Sequence, residues 1–369
     1  PKRKGLLYAG TERGMYISFD DGNNWKKFQL NLPIVAITDL AIKNDNLIAA
    51  TQGRSFWMID DLTPFHQLNT SITKDDVILF KPQDSYRMSG GNGRTSKTAG
   101  TNHPGGVAIN YFIKEKYKKE VVSIQIFDSN DQLIKTFSTK PNKEKKEAKL
   151  NTENGNNIFY WDMMYPGAEK VKDMILWWAS LNGPMALPGN YKVSLQVGET
   201  IKSQNFTILK NPISETSLAD ATAQFNFIND INTKVTEIHK ALKNVKKVRA
   251  QVTSLQKSIS DKLKHSELLD YADSLLKEMT VIEETLYQTK SKSNQDPLNF
   301  PIRLNNKLAH LNSLTRIGSY APTEQAINFK NEITEEIDNQ LSKLYDLFKI
   351  KVKVLNQKVK DSQIDLIQL

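Results

Sequence analysis

The residues whose types and spacing come closest to chemistry lie near the start of the chain. Ser18-Phe19-Asp20-Asp21-Gly22-Asn23-Asn24-Trp25 matches the pattern S-x-D-x-G-x-x-W. A carboxylate in that setting is either a catalytic acid or the acceptor that closes a turn, and the flanking residues favour the turn. Residues 6–10 and 14–18 read as strands, Asp20 is suited to accept backbone N–H bonds, and Gly22 supplies a positive φ. Trp25 then opens the next strand and packs under the turn. Ser18, Asp20, Gly22 and Trp25 are therefore read as a structural set.

Other carboxylates offer no pair for glycoside hydrolysis, which needs an acid and a second carboxylate or base. Asp60 and Asp61 are adjacent on a predicted strand and so point to opposite faces. One of them is expected to cap the exit turn Leu62-Thr63-Pro64, and Asp39 stands alone. Arg54 is a candidate for an acidic ligand, with Trp57 beside it in the same segment. The five histidines, at 66, 103, 239, 265 and 310, include no pair at metal-ligand spacing. His239 and His310 read as surface or boundary residues on helices, and His66 and His103 as loop residues. The glycine-rich stretch 89–101 lacks the helix that a phosphate-binding loop requires. Neither G-x-S-x-G nor a Walker loop occurs. No catalytic residue, metal or cofactor is expected.

A cluster of aromatics, Tyr165, Trp177 and Trp178 near Trp161, is the remaining candidate. Such rings serve as a sugar-stacking platform or, more commonly, as an anchor burying one domain against another, and Trp161 on an alternating strand belongs to the core. The polar segment 289–301 carries Pro297, Phe300 and Pro301. It reads as an interhelix loop packing on its own bundle, with Phe300 a candidate for docking on another module or a partner.

The elements that must position these groups divide the chain. Its 369 residues exceed one ordinary core. Residues 1–70 give short strands over 6–10, 15–18, 25–29, 37–42, 46–51 and 55–60, punctuated by turn chemistry, as in an all-β repeat array. Residues 71–106 read as an irregular connector. Residues 107–211 give strands over 107–113, 121–127, 133–138, 157–162, 189–197 and 201–209, which fit an immunoglobulin-like sandwich. After Asn211-Pro212 the apolar period changes from 2 to 3.6. Ser217-Leu218-Ala219-Asp220 is a capping box. Four amphipathic helices over 212–369 follow, as in an antiparallel bundle, the last running through Ile333, Leu344, Leu355 and Val359.

The net charge of +9 raises the question of nucleic acid, but the basic tracts 114–119 and 140–149 are interleaved with glutamates and poor in aromatics. They read as solvated loops or hairpin tips, and nucleic-acid binding is not expected. The longest apolar runs fall short of the roughly 20 residues of a transmembrane helix. The lack of cysteine excludes disulfides and thiolate chemistry.

Together these residues carry a family resemblance. The S-x-D-x-G-x-x-W pattern is the Asp-box of sialidase-like and sortilin-like β-propellers. Along with Gly5-Leu6-Leu7-Tyr8-Ala9-Gly10-Thr11 and Thr51-Gln52-Gly53-Arg54-Ser55-Phe56-Trp57, it resembles the end of the propeller in bacterial sortilin-like (VPS10-type, BNR-repeat) proteins. The likeness continues through Trp161-Asp162-Met163-Met164-Tyr165-Pro166-Gly167-Ala168, the capping box at Ser217, and 286–308. Where such proteins often show Thr-His-Gly-Arg, this chain has Gln52, which cannot act as an acid or base.

The resemblance implies a multidomain β + α protein: the last blade or blades of a propeller, an Ig-like sandwich and a C-terminal helical bundle. It further implies an exported bacterial protein, periplasmic, outer-membrane-associated or secreted, often labelled a glycosyl hydrolase. A lone blade leaves open strand edges, so a missing N-terminal propeller portion is an expected partner, with other envelope proteins and glycans as further partners. The leading expectation is a non-catalytic binding or scaffold protein. The alternative is a glycan-active propeller whose catalytic residues lie on blades outside this chain.

Overall fold

A computed structural model describes residues 2–69, 72–91, 102–117, 119–144, 146–259 and 263–362. It is mixed β and α, with a strand-rich unit, Pro1–Met163 with Pro188–Ile213, and a helical unit, Met164–Leu187 with Ser214–Leu369. None of the described helices is long and apolar enough to cross a membrane.

The strand-rich unit begins with β1 (Leu7–Thr11), β2 (Gly14–Ser18) and β3 (Lys26–Lys27), an antiparallel three-stranded sheet. A second, β4 (Ile37–Lys43), β5 (Asn46–Thr51) and β6 (Phe56–Ile59), repeats the pattern. The two sheets pack through Met15, Ile17, Phe28, Ile37, Leu47 and Ala49, all buried. Their closest approach requires glycine, since a Cβ at Gly10 would stand 2.6 Å from Ile37 Cγ2. A short helix α1 (Thr63–Gln67) follows and contains His66, which the sequence had suggested for a loop.

Two further sheets build the rest of this unit from β7 (Val77–Leu79), β8 (Ser85–Tyr86), β9 (Val107–Ile113), β10 (Val122–Phe127), β11 (Leu133–Ser138), β12 (Ala148–Lys149), β13 (Gly155–Trp161), β14 (Gly189–Val197) and β15 (Thr200–Leu209). One has the order β12-β11-β10-β14-β15-β8 and the other β13-β9-β7. Alternation along β9 and β10 buries every second residue, as a sheet with one covered face requires. Rings from the two sheets meet: Trp161, fully buried, lies 5.8 Å from Tyr191 and 6.1 Å from Phe206. The connector predicted over 71–106 differs in part. Its segments β7 and β8 are too short for a period-2 signal, and their strand character comes from pairing with β9 and β15. Of its glycine-rich stretch, 92–101 lies outside the described residues.

The helical unit comprises α2 (Leu218–Ser258), α3 (Ser266–Leu286), α4 (Leu304–Thr315), α5 (Glu324–Asp346) and α6 (Val352–Asp361). At the start of α2, Ser217 Oγ accepts from Asp220 N–H at 3.0 Å and the Asp220 carboxylate reaches back to Ser217 N–H, completing the capping box. Thr323 caps α5 through its hydroxyl. Val235, Leu242, Leu275, Leu308, Ile337 and Leu344 are among the residues of the core. The single last helix expected from the sequence is interrupted by a π turn over Leu347–Lys351, a wide turn that keeps both Leu347 and Leu355 buried.

Candidate functional site

The turn between β2 and β3 closes on itself. Ser18 Oγ donates to Asp20 Oδ1 and accepts from Gly22 N–H, both at 2.9 Å. Asp20 Oδ1 also accepts from Asn24 N–H at 2.8 Å, and Oδ2 takes the Asn24 side-chain amide at 2.6 Å. The Asn24 side chain, then its backbone N–H and the Ser18 hydroxyl, hold the Asp20 carboxyl below the usual carboxylate range. Asp21 and Gly22 adopt φ values of +62° and +90°, the left-handed geometry for which glycine is suited. The Trp25 indole lies against this turn, 3.8 Å from where a Gly22 Cβ would stand. Both Asp20 oxygens are occupied within four residues, so the group is held as a turn former.

On the second sheet Arg54 is exposed. Its guanidinium bonds back to Gly53 O at 3.3 Å. The Trp57 indole N–H donates to Arg54 O at 2.9 Å, and the Trp57 ring packs on the core between the two sheets. The cleft beside it, lined by Met15, Phe28, Leu30, Trp57 and Met58, has a volume of about 40 Å³, room for little more than a water or two. Asp61 caps the exit turn, accepting from Thr63 N–H at 2.8 Å, and its other oxygen takes the Asn110 amide at 3.1 Å. Asp39 accepts from Leu40 N–H at 2.8 Å.

The aromatic cluster is divided by the fold. Trp161 ends β13 in the strand-rich core, whereas Met164–Leu187, which the sequence placed within 107–211, belongs to the helical unit. There it forms a hairpin, with Tyr165 N–H bonded to Pro184 O at 3.0 Å and Ala168 N–H to Leu181 O at 2.8 Å. Side chains of α2 and α4 read its backbone. Asn306 Oδ1 accepts from Trp177 N–H at 2.7 Å while its amide donates to Trp177 O at 2.9 Å. Asn232 and Asn312 both donate to Asn182 O, at 2.8 and 3.0 Å, and Arg316 donates to Gly183 O at 3.0 Å. Thr236 Oγ1 accepts from Glu169 N–H at 3.0 Å.

His239, expected at a surface or boundary, is fully buried. Its Nδ1 donates to Glu169 O at 2.5 Å, and Nε2 is buried without a hydrogen bond among the described residues. Burial lowers its pKa, against the opposing pull of the Glu169 carbonyl.

The three candidate aromatics on this hairpin differ. Tyr165 packs edge-on against Phe225 at 4.9 Å. Trp177 is half-buried, and Trp178 stacks on it at 5.3 Å and 29° while remaining 73% exposed. Phe300 is half-buried in a loop that folds on its own acid: Asp296 accepts from Lys292 and Ser293 N–H groups at 2.6 and 2.9 Å, and Phe300 N–H bonds Asp296 O at 2.9 Å. The sequence reading did not single out Asn232, Asn306, Asn312 or Arg316. The available signal was the presence of amides on the inward face of amphipathic helices, a position polar side chains hold only when hydrogen-bonded.

Compared with family models, with curated proteins and with solved structures, the chain gives no match in any of the three.

Proposed function

We propose that this chain is part of a non-catalytic binding scaffold of a bacterial cell envelope, carrying the end of an Asp-box propeller, an Ig-like module and a helical brace. The observation that carries the reading is the turn at Ser18–Trp25, whose Asp20 carboxylate is engaged by Ser18 and by the backbone and side chain of Asn24. It supports an architectural motif over an active site. On this reading β1–β3 and β4–β6 belong to successive blades. The outer face of the second sheet supports that assignment: Met58 pairs with Ile48, Phe56 with Ala50, and Phe56 and Met58 are 76% and 56% exposed. A sheet apolar on both faces suits the interior of a stack, with another blade covering the second face. The two sheets whose rings meet at Trp161 are then the Ig-like module, and the protein is exported.

The test is capture of the full-length native protein from its own envelope, followed by mass spectrometry of the intact chains and of glycan incubated with them. A stoichiometric complex with a propeller portion or an envelope protein, and unchanged glycan, is the expected result. Saturable glycan cleavage by the intact protein, abolished by carboxylate substitutions on the propeller, would overturn the scaffold reading in favour of a glycan-active enzyme.

A further inference from the structure

The tip of the hairpin in the helical unit has a feature that the scaffold reading of the propeller does not use. Trp178 holds φ +50°, a left-handed conformation that is unfavourable for a bulky side chain. It nevertheless leaves 73% of its surface in solvent. Neither property helps the fold of this unit, because burial would favour the indole and glycine would suit the backbone.

The surrounding backbone is fixed all the same. Asn306 grips both polar groups of Trp177, His310 holds Trp178 O at 2.9 Å, and Ser180 N–H bonds Ala309 O at 3.2 Å. Trp177 lies stacked behind the exposed ring. The indole is therefore presented in a set orientation, with little left to order on binding.

The groups around it are polar. The partner of His310 Nδ1 is a carbonyl, which only accepts, so Nδ1 carries a proton. Nε2 has no hydrogen bond among the described residues. Lys172 and Asp173 are exposed on the same hairpin tip. A flat apolar face beside an imidazole nitrogen open to hydrogen bonding matches a ring that is apolar on one face and hydroxylated at its rim.

We propose that Trp178, backed by Trp177 and flanked by His310, is a non-catalytic platform for one pyranose ring of a neutral glycan. This site lies in the helical unit and stands or falls independently of the propeller assignment.

The test is calorimetric titration of the full chain with cellotriose, mannotriose and chitotriose in turn, alongside Trp178→Ala, Trp178→Phe and, as a control at another exposed ring, Tyr345→Ala. Saturable binding of at least one trisaccharide is expected. Trp178→Ala should weaken it about tenfold or more, Trp178→Phe by less, and Tyr345→Ala not at all. Because Trp178 is exposed, its variants should fold, which circular dichroism checks. Absence of saturable binding to all three sugars, or binding that survives Trp178→Ala, overturns the proposal. So does a concentration-dependent dimer that Trp178→Ala abolishes, which would assign the ring to a second copy of the chain.

Discussion

The Asp-box turn and the 164–187 hairpin are both irregular segments held by side chains bonded to backbone, yet they are fastened over very different distances. Ser18, Asp20, Gly22 and Asn24 satisfy one another within four residues. Trp177 and Asn306 are 129 positions apart, and Gly183 and Arg316 are 133 apart. The turn carries its own instructions, whereas the hairpin takes its shape from two helices that must already be packed. A local closure of this kind orders only a short loop, and a long-range one depends on the unit around it.

That contrast is broken most strongly at Asn306. Asn306→Ala strands a backbone donor and acceptor of Trp177 and is expected to destabilise the helical unit by about 2–3 kcal/mol, read by urea unfolding. Hydrogen exchange should increase at the hairpin amides and remain unchanged at β1 and β2. If the loss is under about 0.5 kcal/mol, the amide does not hold the hairpin.

The corresponding change in the turn is smaller. Ser18 is buried, and Ser18→Ala removes both the acceptor for Gly22 N–H and a donor to Asp20. A loss of about 1–2 kcal/mol is expected, with faster exchange confined to the strand-rich unit. Spread of that effect to the helices would contradict the local character of the turn.

The two segments also respond differently to acid. The folded pKa of His239 is depressed, so below about pH 6.5, where a free imidazole takes up a proton, the unfolded chain binds more protons than the folded one. The contribution of His239 is thus constant above that pH and is lost as pH falls toward the folded pKa, with a slope of at most about 1.4 kcal/mol per pH unit. His239→Gln, whose amide still donates to Glu169 O, should remove the slope. Asp20 is likewise depressed, but as a carboxylate it stabilises above its unfolded range, and its contribution disappears only in much stronger acid. Helical signal should therefore decline at a higher pH than near-ultraviolet signal from the strand-rich unit.

The smallest expected effect has the opposite sign. Trp178→Gly relieves the left-handed backbone and should raise the melting temperature slightly, by less than about 1 kcal/mol in stability. A clear loss of stability would show that the exposed ring serves the fold.

Most of the regular structure was legible because it rests on periodicity. The strands over 46–51, 107–113, 133–138 and 189–197 coincide with those observed, since alternation over six or more residues encodes a half-covered sheet. Ser217 announced its helix through capping chemistry that operates within one turn. The short strands β7, β8 and β12 carry too few residues for any period and exist through their partners. The candidate residues follow the same division. Asp20, Gly22 and a cap by either Asp60 or Asp61 were readable from neighbours two to four positions away, and the structure assigns that cap to Asp61. The roles of Asn306, Asn312 and His239 were not, because their partners lie across the fold.

By itself, then, the sequence determined the longer elements and the self-closing turns, whose hydrogen bonds are satisfied by nearby residues and whose apolar rows follow from backbone geometry. Only the tertiary structure decided that Met164–Leu187 leaves the strands for the helices, that buried amides on α2 and α4 grip its backbone, and that Trp178 stands in solvent. Those outcomes depend on which distant groups meet, and a linear pattern of residue types contains no term for such meetings.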